Sequence, residues 1–269
     1  MLTAPRTALS LLRRRARREH GFTLVELLVA MLCGMVVLGA LFAILEVGLH
    51  QSSRLSDTSE STAAGRITMT KIVDELHSAC LSSKFAPVGI GSEGSKLILQ
   101  NGYSETAELK PAVVRKDVIE YQPVAEERGV LRDYTYFATE GPNANGEYKY
   151  AATATPATGT IIGERVGAKK VGKESIPFFQ YYEYNTTSAG GAAEQATSLK
   201  TTAMSYKAGE GLTKEQVAKT ASVGVTFNMQ GIHYTPSDKT SRPVDLNTQT
   251  TLAFSVPNAE ATIKAGPCE

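Results

Sequence analysis

The chain has 269 residues, of which 42% are apolar, with 28 lysines and arginines against 27 aspartates and glutamates. That length permits one large domain or two small ones and a sizeable buried core. The near-zero total excludes a strongly basic nucleic-acid-binding protein, yet the charge is unevenly placed.

Residues 1–21 hold six arginines (Arg6, Arg13, Arg14, Arg15, Arg17 and Arg18) against Glu19 alone, and residues 22–269 hold 22 basic and 26 acidic side chains. A basic leader before a mildly acidic body reads as a targeting signal plus cargo. No basic patch is left in the body to suggest nucleic-acid binding.

Residues 22–45, "FTLVELLVAMLCGMVVLGALFAIL", carry Glu26 as their single charge. As a helix these residues reach roughly 36 Å, enough to cross a hydrocarbon core of about 30 Å. Arginines precede the segment and none follows until Arg54, so the positive-inside rule keeps the N-terminus cytoplasmic and sends the body across. A buried core helix is the alternative.

A cleaved signal peptide needs small residues at −3 and −1. Here Ala40 and Ala43 are preceded two positions earlier by Leu38 and Leu41. A lipoprotein needs a small residue before its cysteine, whereas Cys33 follows Leu32 in mid-span. A plain uncleaved anchor stays open but gives Glu26 no role. A carboxylate within a spanning helix costs about 2.5–3.5 kcal/mol near its centre. Cleavage between Gly21 and Phe22 would create an α-amino group one helical turn from Glu26, the fifth residue counted from Phe22. Gly21, without a Cβ, also admits a protease close to the backbone.

The basic leader, Gly21, Phe22 and "TLVELLVAM" resemble the class III signal of type IV pilins and type II secretion pseudopilins. The resemblance implies that a membrane-embedded prepilin peptidase cuts after Gly21 and methylates Phe22. It also implies that Glu26 guides insertion of the subunit into a helical filament. The implied partners are that peptidase, the cytoplasmic membrane and other pilin or pseudopilin subunits met through the N-terminal helix; no cofactor and no direct nucleic-acid contact is implied. The motif covers barely a tenth of the chain.

Residues 46–83 continue the helix with polar chemistry, and Ile67, Ile72, Val73, Leu76 and Cys80 recur at helical spacing, as suits a face laid on a sheet. Gly48 and Gly65 weaken the helix by about 1 kcal/mol each without breaking it. From residue 22 to 82 such a helix would be roughly 90 Å long. "FAPVGIGSEGSK" (85–96) ends it.

Beyond lie short β-like runs: "KLILQ", "AVVRKDVIEYQ", "VLRDYTYFA", "GTIIGERVG", "IPFFQYYEYN", "SVGVTFNM" and "TTLAFSV". Asn145-Gly146 marks a tight hairpin turn. "NTTSAGGAAEQATSLKTT" (185–202) is small and polar and reads as a loose loop. Thr213 and Gln216 stand at capping-box spacing, which marks a short helix. The expected fold is α+β: a long N-terminal helix on a mostly antiparallel sheet. The expected divisions are a leader (1–21), a transmembrane and assembly half (22–45), an amphipathic half (46–83) and an extracytoplasmic β-rich domain (84–269). The order of strands and short helix is similar to PilW-type minor pilins and J-type pseudopilins, which cap or prime a filament.

The four histidines (His20, His50, His77, His233) do not cluster at ligand spacing, and no G-x-S-x-G, H-E-x-x-H or phosphate loop occurs. "DLNTQ" (245–249) alternates oxygen-bearing side chains but lacks a full calcium-ligand series and reads as an ordinary loop, so no metal site is expected. Tyr134, Tyr136, Phe178, Phe179, Tyr181, Tyr182 and Tyr184 read as packed or half-exposed sheet residues, not a ligand platform. Cys33 reads as a small apolar residue. A Cys80–Cys268 bridge would close about 190 residues and contribute roughly 4–5 kcal/mol at most; two free thiols remain the alternative. The functional expectation is a non-enzymatic minor pilin or pseudopilin precursor. It would be single-pass in the cytoplasmic membrane before assembly and part of an extracytoplasmic or surface filament after it. The alternative is a signal-anchored extracytoplasmic binding domain that does not polymerise.

Overall fold

The computed structural model describes residues 22–79, 86–103, 113–125, 127–140, 149–150, 159–187, 195–235 and 242–252. The chain divides into two compact units, Met1–Arg54 and Leu55–Glu269, with helix α1 (Leu24–Ser78) contributing to both. In the first unit every described residue is exposed in the protomer.

In the second unit α1 buries Ser61, Gly65, Thr68, Ile72 and Leu76, a stripe spaced by four, three, four and four residues. Polar residues occupy most positions between, so one face alone can leave water. The stripe differs from the expected one at its start: Ile67 is 59% exposed. The reason is closeness of approach. A Cβ at Gly65 would overlap Leu246 Cδ1 and stand 2.7 Å from Met229 Cγ. The Thr68 hydroxyl lies 2.9 Å from the Ile162 carbonyl and 3.0 Å from that of Ala64. Only small side chains fit where the backbones meet this closely. The large ones, Ile72 and Leu76, enter the core further along.

The sheet is antiparallel throughout. Its strands are β1 (Lys96–Tyr103), β2 (Val113–Ala125), β3 (Arg128–Glu140), β4 (Lys149–Tyr150), β5 (Thr160–Gly167), β8 (Phe179–Tyr182), β11 (Ser222–Met229) and β12 (Val244–Thr251). The order is β1-β2-β3-β5-β11-β12, with β4 added to β3 and β8 to β11. One side of β11 is shared, with β8 on Ser222–Val225 and β5 on Asn228–Met229. All eight β11 residues are therefore buried, as a central strand requires. Its Val223, Val225, Phe227 and Met229 join Leu97, Leu99, Ile119, Leu131, Phe179 and Tyr181 in the core that receives Ile72 and Leu76. This is the α+β arrangement expected from sequence.

Small elements complete the unit. The hairpin β6 (Lys170–Val171) to β7 (Glu174–Ser175) turns at Gly172, whose φ of 65° suits a residue without Cβ. Helix α2 (Lys214–Lys219) begins at the Thr213/Gln216 capping box that its sequence announces.

Two loop readings are corrected. Residues 185–202 contain paired strands β9 (Tyr184–Thr187) and β10 (Gln195–Leu199), because their threonine- and leucine-bearing ends suit extended pairing. "DLNTQ" lies inside β12, with Asp245, Asn247 and Gln249 exposed and Val244, Leu246 and Thr248 turned inward. That period of two places the oxygen-bearing side chains on one face instead of around a loop. The last described strand includes Thr250 and Thr251 of the expected "TTLAFSV", most of which lies outside the described residues, as does the Asn145-Gly146 turn.

Candidate functional site

Two polar features lie on α1, one at its start and one near its end. At the start, Thr23 is the N-cap. Its carbonyl accepts from the Leu27 amide at 3.2 Å, and its hydroxyl oxygen accepts from the Glu26 amide at 3.3 Å. These satisfy donors that a helix start otherwise leaves unpaired. Thr23 and Glu26 have capping-box spacing, a signal legible in "FTLVELL" and not used above. Only the threonine half of the box forms; among the described residues no donor meets the Glu26 carboxylate. An acid in the first turn is favoured by the helix dipole, yet its oxygens stay available to a partner.

Phe22 precedes the cap and is 76% exposed. The apolar side chains that follow, from Leu24 to Leu49, are exposed as well. The helix is long and apolar enough to cross a membrane, and none of its apolar window is buried in the protomer. Of the sequence-derived site residues, Phe22 and Glu26 therefore share one accessible helix start. Gly21, Cys80 and Cys268 lie outside the described residues.

Near the other end of α1, Glu75 accepts from Arg115 Nη2 at 2.6 Å, and Arg115 Nε donates to Asp117 at 2.6 Å. Asp117 is fully buried and also accepts from Asn101 Nδ2 at 3.2 Å and the Thr135 hydroxyl at 2.8 Å. Asn101 and Ser78 add a 3.3 Å hydrogen bond. Register explains the gathering. Leu99 pairs with Asp117 and Asp117 with Thr135, while Asn101 pairs with Arg115 on the same side of the sheet. Burial works against the Arg115 charge, but Asp117 and then Glu75 hold its pKa above the ordinary value. Asp133 lies nearby. Burial, reinforced by Asp117 and Glu75 and opposed by Arg115, lifts its carboxyl to about 6. This network joins residues 40 positions apart (Glu75 and Arg115), and no local pattern in the sequence signals it.

A second tie lies at the α1 residues that open the unit. Arg165, at a positive φ of 57° beside irregular β3–β5 pairing, donates to Glu60 at 2.9 Å. Such an irregularity re-aims a side chain that a regular strand would send elsewhere. Neither network has a catalytic layout. Among the described residues no three His, Cys, Asp or Glu side chains gather so as to hold a metal.

Comparison with protein families gives one match: a prokaryotic N-terminal methylation motif, over residues 16–42. No curated protein and no solved structure matches the chain. The matched residues run from the basic leader through Phe22, Thr23 and Glu26 into the apolar part of α1. The motif is that of type IV pilin-like precursors, which are structural subunits trimmed by a prepilin peptidase.

Proposed function

We propose that the chain is the precursor of a minor pilin or pseudopilin, a structural subunit that initiates or caps a filament. Prepilin peptidase removes the leader after Gly21 and methylates the new terminus at Phe22. The carrying observation is the matched motif running into an apolar helical stretch, residues 22–45, whose start is accessible and whose one acid, Glu26, meets no donor among the described residues. An amine at Phe22 would stand one turn from Glu26, either its own or a neighbouring subunit's, and would offset the cost of taking the carboxylate into lipid or into a bundle of helices. The subunit waits in the cytoplasmic membrane as a single-pass protein, N-terminus inside, with residues 84–269 extracytoplasmic, and then joins a pilus or a type II secretion pseudopilus. Its partners are the peptidase and sister subunits. In that compartment Cys80 and Cys268 can be bridged.

Two substitutions test this. Gly21→Val co-expressed with the peptidase leaves a precursor of unchanged size, whereas a normally trimmed product contradicts the assignment. Glu26→Gln is trimmed yet fails to enter filaments; equal incorporation removes the role given to Glu26. The competing reading, an anchored domain that does not polymerise, predicts an untrimmed leader.

A further inference from the structure

Residues 183–187 read Glu-Tyr-Asn-Thr-Thr. Of the chain's seven asparagines, Asn185 is the one with a serine or threonine two positions later, and no proline stands between. Asn-x-Ser/Thr is the acceptor triplet for N-linked sugar. The triplet is short enough to arise by chance, so its placement carries the argument.

Asn185 lies in β9, which pairs with β10 and, among the described residues, with no strand of the eight-stranded sheet. This hairpin leaves the main sheet just after β8, the strand laid on Ser222–Val225 of β11. Its base is clamped. The Lys200 amide donates to the Glu183 carbonyl at 2.9 Å, and the Lys200 ammonium pairs with the Glu183 carboxylate. Beyond the clamp Asn185 is exposed, whereas Asn101 and Asn228 are buried. Asn247 is exposed too, but Gln249 stands where the triplet needs a hydroxyl.

A register shift between Ala196 and Ser198 sets Ser198 opposite Asn185. Asn185 Nδ2 donates to the Ser198 hydroxyl at 2.9 Å. A carboxamide nitrogen carries two hydrogens, and one of them remains after a sugar is attached. The nitrogen can therefore bear a sugar and still donate to Ser198.

We propose that Asn185 is an N-glycosylation site whose donor is a polyprenyl-diphosphate-linked oligosaccharide. Nδ2 forms a bond to the anomeric carbon of the first sugar as the bond from that carbon to the diphosphate oxygen breaks. Polyprenyl diphosphate leaves with the electron pair, and the proton lost from Nδ2 passes to a base of the transferase. Thr187 supplies the hydroxyl of the triplet. Glu183, two residues before Asn185, lies on the same side of an extended acceptor and offers its carboxylate as a second handle to a cationic transferase site. The proposal rests on the extracytoplasmic placement of residues 84–269 in the precursor reading, because the lipid-linked sugar is presented on that side of the membrane. A two-stranded hairpin leaves unpaired backbone along its edges, which is a template for pairing with another chain. A bulky hydrophilic sugar at Asn185 blunts that template.

Trypsin cuts after Lys173 and Lys200 and releases residues 174–200 as one peptide. The full chain is extracted from its native membranes and digested, and this peptide is sequenced by electron-transfer mass spectrometry. The expected result is an oligosaccharide mass on Asn185, lost in Asn185→Gln and Thr187→Val and kept in Thr187→Ser. Glu183→Gln should lower occupancy several-fold, whereas Lys200→Gln, which breaks the same ion pair, should leave it unchanged. Equal loss in those two variants overturns the recognition given to Glu183. An unmodified peptide overturns the proposal, as does a sugar held through oxygen on Thr186, Thr187 or Ser188. The N-terminal peptide of the same sample keeps the two readings apart. A chain trimmed to Phe22 with bare Asn185 overturns the glycosylation site and leaves the precursor reading standing, and an untrimmed leader with a sugar on Asn185 does the reverse.

Discussion

The two parts of α1 meet different demands with different means. From Leu24 to Arg54 nothing in the protomer covers the helix, and the residues up to Leu45 carry Glu26 as their only charge. From Leu55 to Ser78 the helix is mostly polar, yet Ser61, Gly65, Thr68, Ile72 and Leu76 are buried and Glu75 enters an ion-pair network. The first part is specified by composition: any side chain that lipid or a neighbouring apolar helix accepts will serve. The second is specified by fit, down to the absence of a single Cβ at Gly65. It follows that substitutions in the two parts should have unlike effects, and that contrast can be attacked.

The largest effect is expected at Asp117. Asp117→Ala leaves Arg115 facing one carboxylate instead of two and takes an acceptor from both Asn101 and Thr135, so it should cost about 3–5 kcal/mol in urea unfolding of the full chain in micelles. Gly65→Ala comes next. Helix propensity favours alanine by about 1 kcal/mol. Overpacking against Leu246 and Met229 costs about 1–3 kcal/mol, so a net loss of about 1 kcal/mol is expected.

Asp133 tests the network through pH. Its folded pKa of about 6 lies above the unfolded value, so between about pH 4 and 6 the native state binds more protons than the unfolded one. Its contribution is therefore most favourable below pH 4, is lost as pH rises through 6, and is constant above. Asp133→Asn should flatten that part of the stability profile and raise stability at pH 7.5 by about 1 kcal/mol, solvent screening having reduced the full shift. An unchanged profile would remove Asp133 from the network.

Smaller effects belong to the first part. Thr23→Ala removes the N-cap and should weaken the first turn by about 0.5–1 kcal/mol, visible as faster amide exchange at Glu26 and Leu27 with no change in the unfolding midpoint. Leu38→Ala, on the exposed part of the helix, should shift that midpoint by less than about 0.5 kcal/mol. A large shift there would mean that α1 is covered in the protomer after all.

Composition and period made some elements readable in advance. The apolar run before Glu46, the Thr213/Gln216 capping box and Ser222–Met229 were all legible as local signals. The helix face was not, because counting aliphatic residues selected Ile67 where backbone closeness selects Ser61, Gly65 and Thr68. Strand β12 hid behind aspartate, asparagine and glutamine, which sit on its solvent face. The Glu75–Arg115–Asp117 network needs strand register to bring its members together, and one sequence does not supply register. At the helix start, Phe22 and Glu26 belong to one contiguous motif, and Thr23 was there to be read at capping-box spacing.

The account turns on the start of α1 being a processed terminus. Mass spectrometry of the N-terminal peptide, from protein extracted from membranes that contain its prepilin peptidase, tests this most directly. A chain beginning at Phe22 and carrying one added methyl group is predicted. A chain that still begins at Met1 with its arginine-rich leader in place would contradict it.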